Sequence, residues 1–286
     1  MEFLGFSESA IRLSFFIGIF VIMALLEVWL PRRKRRFSRI KRWTTNFAII
    51  FTNFLAVFLV GLIVPITAVL SAIWAQQNGF GLFNLINMPV GLVYILGFLA
   101  LDLTIWTQHL VFHKVPILWR LHRVHHSDEE IDASTALRFH PVEIVLSIFI
   151  KALVVILLGA PVILVVIFEI ILNGSAMFNH ANYKLPLWLD RILRTFIVTP
   201  DMHRIHHSVH HKETDSNYGF ALSIWDHIFR TYIAQPKDGH EKMKIGLQWQ
   251  DGASTRIFWS LKLPFVNPPA TKKENSELVK TDGKPS

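Results

Sequence analysis

Eight histidines fall into three short clusters: His109 and His113, then His122, His125 and His126, then His203, His206 and His207. The first reads H-x-x-x-H and each of the others H-x-x-H-H. On a helix, positions i, i+3 and i+4 lie on one face, so the spacing predicts that each cluster aims its imidazoles at one point. Imidazole suits iron, zinc, copper and nickel, and eight such donors are more than one ion takes. Two adjacent metal ions are therefore expected.

The elements that must position these rings are apolar. Residues 13–30, 47–75 and 88–106 are each long enough, at about 1.5 Å per helical residue, to cross a roughly 30 Å hydrocarbon layer. The start Met1-Glu2-Phe3 has no basic region and no small-residue cleavage site follows, so the first span reads as a retained anchor. Loop 31–43 carries Arg32, Arg33, Lys34, Arg35, Arg36, Arg39, Lys41 and Arg42, which the positive-inside rule assigns to the cytoplasm. The Gly-rich stretch 76–87 is then external. The third span returns inward and leaves His109 and His113 just beneath the cytoplasmic face, with Trp106 and Trp119 in an interfacial belt.

The apolar stretch 144–172 is interrupted at Gly159-Ala160-Pro161. One continuous span would put the third cluster across the membrane from the other two. Two arms of about 15 and 12 residues, each too short to cross, make a hairpin that keeps all three clusters together. The expected fold is all-α: an integral membrane helical bundle with a re-entrant helical hairpin and a cytoplasmic histidine-rich helical cap. Residues 1–97 form a transmembrane anchor region, 98–233 a catalytic domain and 234–286 a C-terminal segment. From about Asn267 the tail is rich in Lys, Pro, Glu, Ser and Thr, a composition that predicts disorder.

The 286 residues are 52% hydrophobic and 17% charged, which with the long apolar runs excludes an ordinary soluble domain. Cysteine is absent, so disulfides, thiolate metal sites and cysteine-held iron–sulfur clusters are excluded and any electrons come from a separate protein or cofactor. Much of the +8 net charge sits in loop 31–43, where membrane orientation, with anionic headgroup binding in second place, explains it better than nucleic acid.

Residues from about 98 to 233 resemble the fatty acid hydroxylase and sterol desaturase superfamily of integral-membrane di-iron oxygenases. The similar stretches are DLTIWTQHLVFH from Asp102, LWRLHRVHHSDEEIDASTALRFHPVE from Leu118, FNHAN around His180, MHRIHHS from Met202 and ETDSNYGFALSIWDHIFRTY from Glu213. His227 and Arg230 stand where that pattern more usually has arginine and glycine. The resemblance implies a non-haem centre of two Fe ions that uses O2 and two electrons to hydroxylate or desaturate a lipid substrate in the bilayer. It implies as ligands His109, His113, His122, His125, His126, His203, His206 and His207, with His180 as a ninth. The basic loop puts the expected active site on the cytoplasmic side of a bacterial inner membrane or the endoplasmic reticulum, and the absent cysteines call for an external electron-transfer protein of ferredoxin or cytochrome type.

The surrounding residues carry further expectations. Asp102, two helical turns before His109, is the favoured carboxylate to hold the far nitrogen of a ligand ring, ahead of Asp128, Asp201, Asp215 and Asp226. His140, before a proline, and Asn217, in a turn with Gly219 left-handed, are assigned contacts with the ligands rather than with metal. For His210 and His211, capping or solvent exposure is preferred; His227 and His240 are structural or surface residues. The alternative is a histidine-rich membrane metal-binding or metal-transport protein without redox catalysis. A transporter, however, would hold its ligands at mid-membrane, and these lie past the spans. A zinc hydrolase would keep three ligands and a nearby Glu, and no H-E-x-x-H occurs.

Overall fold

The computed structural model of the chain describes residues 2–3, 6–250 and 252–268. Most of the tail expected to be disordered, 269–286, lies outside them. Among the described residues the one strand pair is a two-residue ladder, Glu2–Phe3 against Phe6–Ser7; the rest of the regular structure is helical. Among the described residues five segments are long and apolar enough to cross a membrane: Glu8–Trp29, Arg39–Leu85, Val90–Lys114, Pro141–Leu158 and Val162–His180.

Helix α1 (Glu8–Trp29) starts at Ser7, whose hydroxyl accepts from the Ala10 amide. Helix α2 (Arg39–Ile63) turns Phe51, Phe54, Phe58 and Leu62 outward, an apolar stripe that suits lipid. The expected span over 47–75 is divided between two helices. Pro65 forces Val64 into the extended region, and after the break Thr67 caps α3 (Ala68–Gln77) by accepting from the Leu70 amide. The small residues Ala68 and Ala72 let α3 pack closely on Val155, Val162 and Val165, in one core with Leu101 and Phe168. A four-residue turn, α4 (Leu82–Leu85), leads to α5 (Val90–Lys114).

On α5, Val93, Gly97, Leu101 and His109 are buried at multiples of four residues, so one inward stripe delivers His109 to the end of the bundle and His113 one turn further. Helix α6 (Pro116–His126) follows, with proline at its first position. The hairpin is α7 (Pro141–Leu158) and α8 (Val162–His180), reversing at Gly159, whose φ of +63° caps α7 in the left-handed region. Its arms have 18 and 19 residues rather than the shorter lengths expected, because the helices run past the apolar segment into His140 and His180. Both outer ends therefore lie at the histidine end. Helices α9 (Leu187–Leu193) and α10 (Pro200–His206) complete the elements around the site.

Loop 31–43 packs on the same end, and much of its charge is paired rather than free. Arg42 is buried against Asp128 and Asp132, Arg35 and Arg39 reach Glu27, and Arg32 reaches Asp201. The Glu27 carboxylate also accepts from the Ala133 and Asn182 amides at 2.7 and 3.0 Å, which fastens the end of α1 to the histidine cap.

Candidate metal centre

The nine predicted histidines converge in two adjoining sets. His109, His113, His122, His126 and His206 form one; His125, His180, His203 and His207 form the other; within each, one ring nitrogen per residue lies within 4.8 Å of all the rest. Each cluster was expected to aim at a single point, and both H-x-x-H-H motifs are instead divided. At about 100° per residue, adjacent rings on a helix diverge, while i and i+4 differ by only about 40°. So His122 and His126 stay together and His125 turns away, as His203 and His207 stay together and His206 turns away. The helices supply this geometry by short caps: α10 begins at Thr199, whose hydroxyl accepts from the Met202 amide, and Pro200 occupies its first position.

In four of the nine rings the nitrogen facing away from the sets is held by an acceptor, while the Nδ1 atoms of His125, His203 and His207 are buried without a partner. His109 Nδ1 donates to the Tyr218 carbonyl, His206 Nδ1 to the Ser216 carbonyl and His180 Nδ1 to the Ala176 carbonyl, each at 2.7 Å. A carbonyl only accepts, so these rings carry the proton on Nδ1 and turn the Nε2 lone pair inward. His122 Nδ1 sits 2.7 Å from the buried carboxylate of Glu143. Inside the sets, the Nε2 atoms of His113, His126 and His206 are buried without a protein partner, and Nε2 atoms approach one another at 3.1 Å between His109 and His122 and 2.9 Å between His125 and His180. Converging ring nitrogens, with the lone pairs of His109, His180 and His206 turned inward, are what a cation satisfies. The donor set, all neutral imidazole, fits two ions of the iron, zinc or copper type.

Electrostatics keep the rings in the ligating form. Burial lowers His122 to about 3, and burial together with neighbouring rings pushes His125, His126, His203, His206 and His207 well below the ordinary imidazole value. Burial alone would raise Asp128, but Arg42 holds it down at about 2, an ionised carboxylate one turn from the ligands.

The other predicted contacts fall elsewhere. Asp102 accepts from Trp225 Nε1 at 2.9 Å and from the Leu222 amide, so it anchors the loop that roofs the site instead of a ligand ring. His140 accepts from the Val142 amide as the cap of α7. Asn217 donates to the Met202 and Ile233 carbonyls and accepts from the Ile233 amide, tying the loop to α10 without touching a ring. The left-handed residue of that turn is Asn217, with φ +51°, and not Gly219. Asp226 collects the Tyr218 and Gly219 amides, Trp106 Nε1 and the Thr231 hydroxyl. Trp106 is thus a buried strut and not part of an interfacial belt. Of the four further aspartates only Asp215 approaches a ligand ring, 3.8 Å from His113 Nδ1. His210 pairs with Asp238, and His211 is solvent-exposed. Glu143 was missed from sequence, although it is one of only three polar side chains in α7.

A cavity of about 210 Å³ opens beside His109 and His122 and runs between α5, α7 and α8 to Lys151, lined along most of its length by apolar groups including Ile105, Phe112, Ile144 and Ile148.

Residues 94–231 match the fatty acid hydroxylase family, and the matched stretch contains all nine converging histidines. This part of the chain is similar to that family. The chain is 29% identical over 150 residues to the ornithine lipid hydroxylase OlsE of Rhizobium tropici, covering 52% of this chain and 44% of that protein. It is 32% identical over 151 residues to the alkylglycerol monooxygenase of Homo sapiens, covering 52% and 32%. It is 27% identical over 139 residues to the cholesterol 25-hydroxylase of Rattus norvegicus, covering 48% and 46%. The chain thus spans less than half the length of each of these relatives. No solved structure matches it.

Proposed function

We propose that the chain is a membrane-embedded, O2-dependent hydroxylase of a lipid, with a non-haem centre of two irons. The observation that carries this reading is the pair of converging histidine sets, the first of which meets, through His109 and His122, a largely apolar cavity between membrane-length helices. His109, His113, His122, His126 and His206 would hold one iron, and His125, His180, His203 and His207 the other. Two irons bound there would supply O2 activation and oxidation of an unactivated C–H bond, chemistry that no acid–base side chain provides.

The chain's own residues do the rest. Glu143 and the Tyr218, Ser216 and Ala176 carbonyls fix ring orientation before metal or substrate arrives. Asp226 and Asp102 pin the 217–225 loop over the site. Phe112, Phe139 and Phe220 exclude water from the end of the cavity where the C–H bond would lie. Hydroxylation puts one oxygen atom into the product and releases the other as water, consuming two electrons and two protons. The sequence has no cysteine to hold an iron–sulfur cluster, which supports electron supply by a protein of ferredoxin or cytochrome type.

The relatives are named as hydroxylases and monooxygenases, which favours hydroxylation over desaturation. Basic loop 31–43 packs at the histidine end, which supports a cytoplasmic position for the site. The test is metal analysis of anaerobically purified protein, followed by O2 consumption with a reductant and lipid extract. Two irons per chain and an oxygenated lipid are expected. His125→Ala should lose metal and activity together, and a fully active variant would overturn the assignment.

A further inference from the structure

Helix α7 is apolar from Pro141 to Leu158 except for Glu143, Ser147 and Lys151. These are four residues apart and share one face. Glu143 holds His122, and all three line the cavity, where Gln108 of α5 and Asn173 of α8 join them. Gln108 Nε2 donates to Ser147 Oγ at 2.6 Å. That leaves Gln108 Oε1 buried with no partner and the Ser147 proton free to donate. Lys151 Nζ meets one oxygen of Glu169, whose other oxygen takes Arg12 at 2.8 Å. This tie uses one of the three ammonium N–H bonds and leaves two.

Polar side chains inside apolar, membrane-length helices are costly and mark function unless they are satisfied by one another. The ion pairs of Arg12, Glu169 and Lys151 join α1, α7 and α8, and so explain their own presence as structure. They do not explain Gln108 and Ser147, whose mutual bond leaves a buried acceptor unpaired beside a spare donor, on two residues that line the same cavity.

We propose that Gln108, Ser147 and Lys151 form a specificity site for the hydroxyl-bearing glyceryl linkage of a polar-headed lipid. Its hydroxyl donates to Gln108 Oε1, and its acceptor oxygens take the spare donors of Ser147 and Lys151. Ser147 and Lys151 stand about 6 and 12 Å along α7 from Glu143, which holds the ring at the reacting end. The bond oxidised is therefore within a short chain of the linkage, not at the far end of a long hydrocarbon tail. A wholly hydrocarbon substrate would cover these groups and satisfy none of them.

This inference rests on the lipid-hydroxylase reading but is tested by binding, so the two can fail separately. Equilibrium binding of radiolabelled 1-monooleoylglycerol to the full chain in detergent, competed by unlabelled monooleoylglycerol or by 1-octadecene, reads the preference directly. The glyceride should compete better than the alkene by about tenfold, in the wild type and in His125→Ala alike. Gln108→Leu and Ser147→Ala, which touch no ion pair, should each remove most of that preference while leaving alkene competition unchanged; Lys151→Met should do so as well. Equal competition by the two lipids in the wild type, or unaltered glyceride preference in both Gln108→Leu and Ser147→Ala, would overturn the proposal. Selective glyceride binding by a chain that oxidises no lipid would sink the hydroxylase reading and leave this site standing.

Discussion

Glu143 offers the sharpest test of how the site is held. Its carboxylate lies 2.7 Å from His122 Nδ1 in a buried pair, and among the described residues it is the one carboxylate within hydrogen-bond distance of a ring in either histidine set. Removing such an outer partner typically lowers metal affinity by about 10–100-fold, or roughly 1.4–2.8 kcal/mol. An independent route gives the same size: Glu143→Ala leaves a buried N–H without an acceptor, a cost of about 1–3 kcal/mol. Glu143→Gln keeps an acceptor but loses the charge. Charge-assisted bonds are roughly twice as strong as neutral ones, so about half the effect, a loss of roughly 3–10-fold, is expected. The assay is iron affinity by competition with graded chelators, with thermal unfolding of the stripped chain as the folding control. An Ala variant that holds iron within about twofold of wild type, while folding normally, refutes the claim that this carboxylate fixes the His122 ring.

Acid should weaken the chelator-stripped chain. His122 titrates near 3 in the fold against an ordinary value of 6.5, so the unfolded chain takes the proton first and stability is lost as pH falls below 6.5. At pH 5 the loss is about 2 kcal/mol from this ring alone, with the other depressed rings adding to it, and an unfolding midpoint unchanged between pH 7 and 5 would contradict this. Gly159→Ala should destabilise by at least about 1–2 kcal/mol in detergent unfolding, because φ is +63° and a Cβ would stand 2.5 Å from Asn84 Nδ2 and 2.7 Å from the Phe80 carbonyl; no change would mean that the hairpin tip is slack. Arg230 occupies φ +59° on an exposed turn, so Arg230→Gly should raise stability by up to about 1 kcal/mol, read as a small rise in melting temperature, and a fall would show that the side chain supports the turn.

What the sequence made legible was whatever depends on residue type and near spacing. Histidine density marked the converging rings, apolar length marked the membrane-length helices, and Gly159-Ala160-Pro161 marked the reversal. Long-range pairing was not legible. Asp102 lies two turns from His109 on one helix, which suggested a contact, but the far nitrogen of His109 is taken by Tyr218, 109 residues away. Arg42 read as one of many topogenic charges, and its buried pairs with Asp128 and Asp132 bridge 86 and 90 residues. Glu143 did leave a local signal, since a four-residue polar spacing inside an apolar helix has no reason to exist on a lipid-facing surface.

The division of the two H-x-x-H-H motifs carries the most structural meaning. Helix α6 gives two rings to the first set and one to the second, while α10 gives one to the first and two to the second. Neither set is complete until both helices have docked, although the two motifs are about 80 residues apart in sequence. Their docking is held by contacts that involve no metal: His126 stacks on His207 with ring centroids 4.5 Å apart, and the Asn217 side chain clamps the loop after α10 to the Met202 carbonyl. The two sets therefore assemble as one unit. Loosening α10 alone, as by replacing Asn217 with alanine, should lower the affinity of both metal positions together, whereas loss from one set with the other intact would show that α6 and α10 position their rings independently.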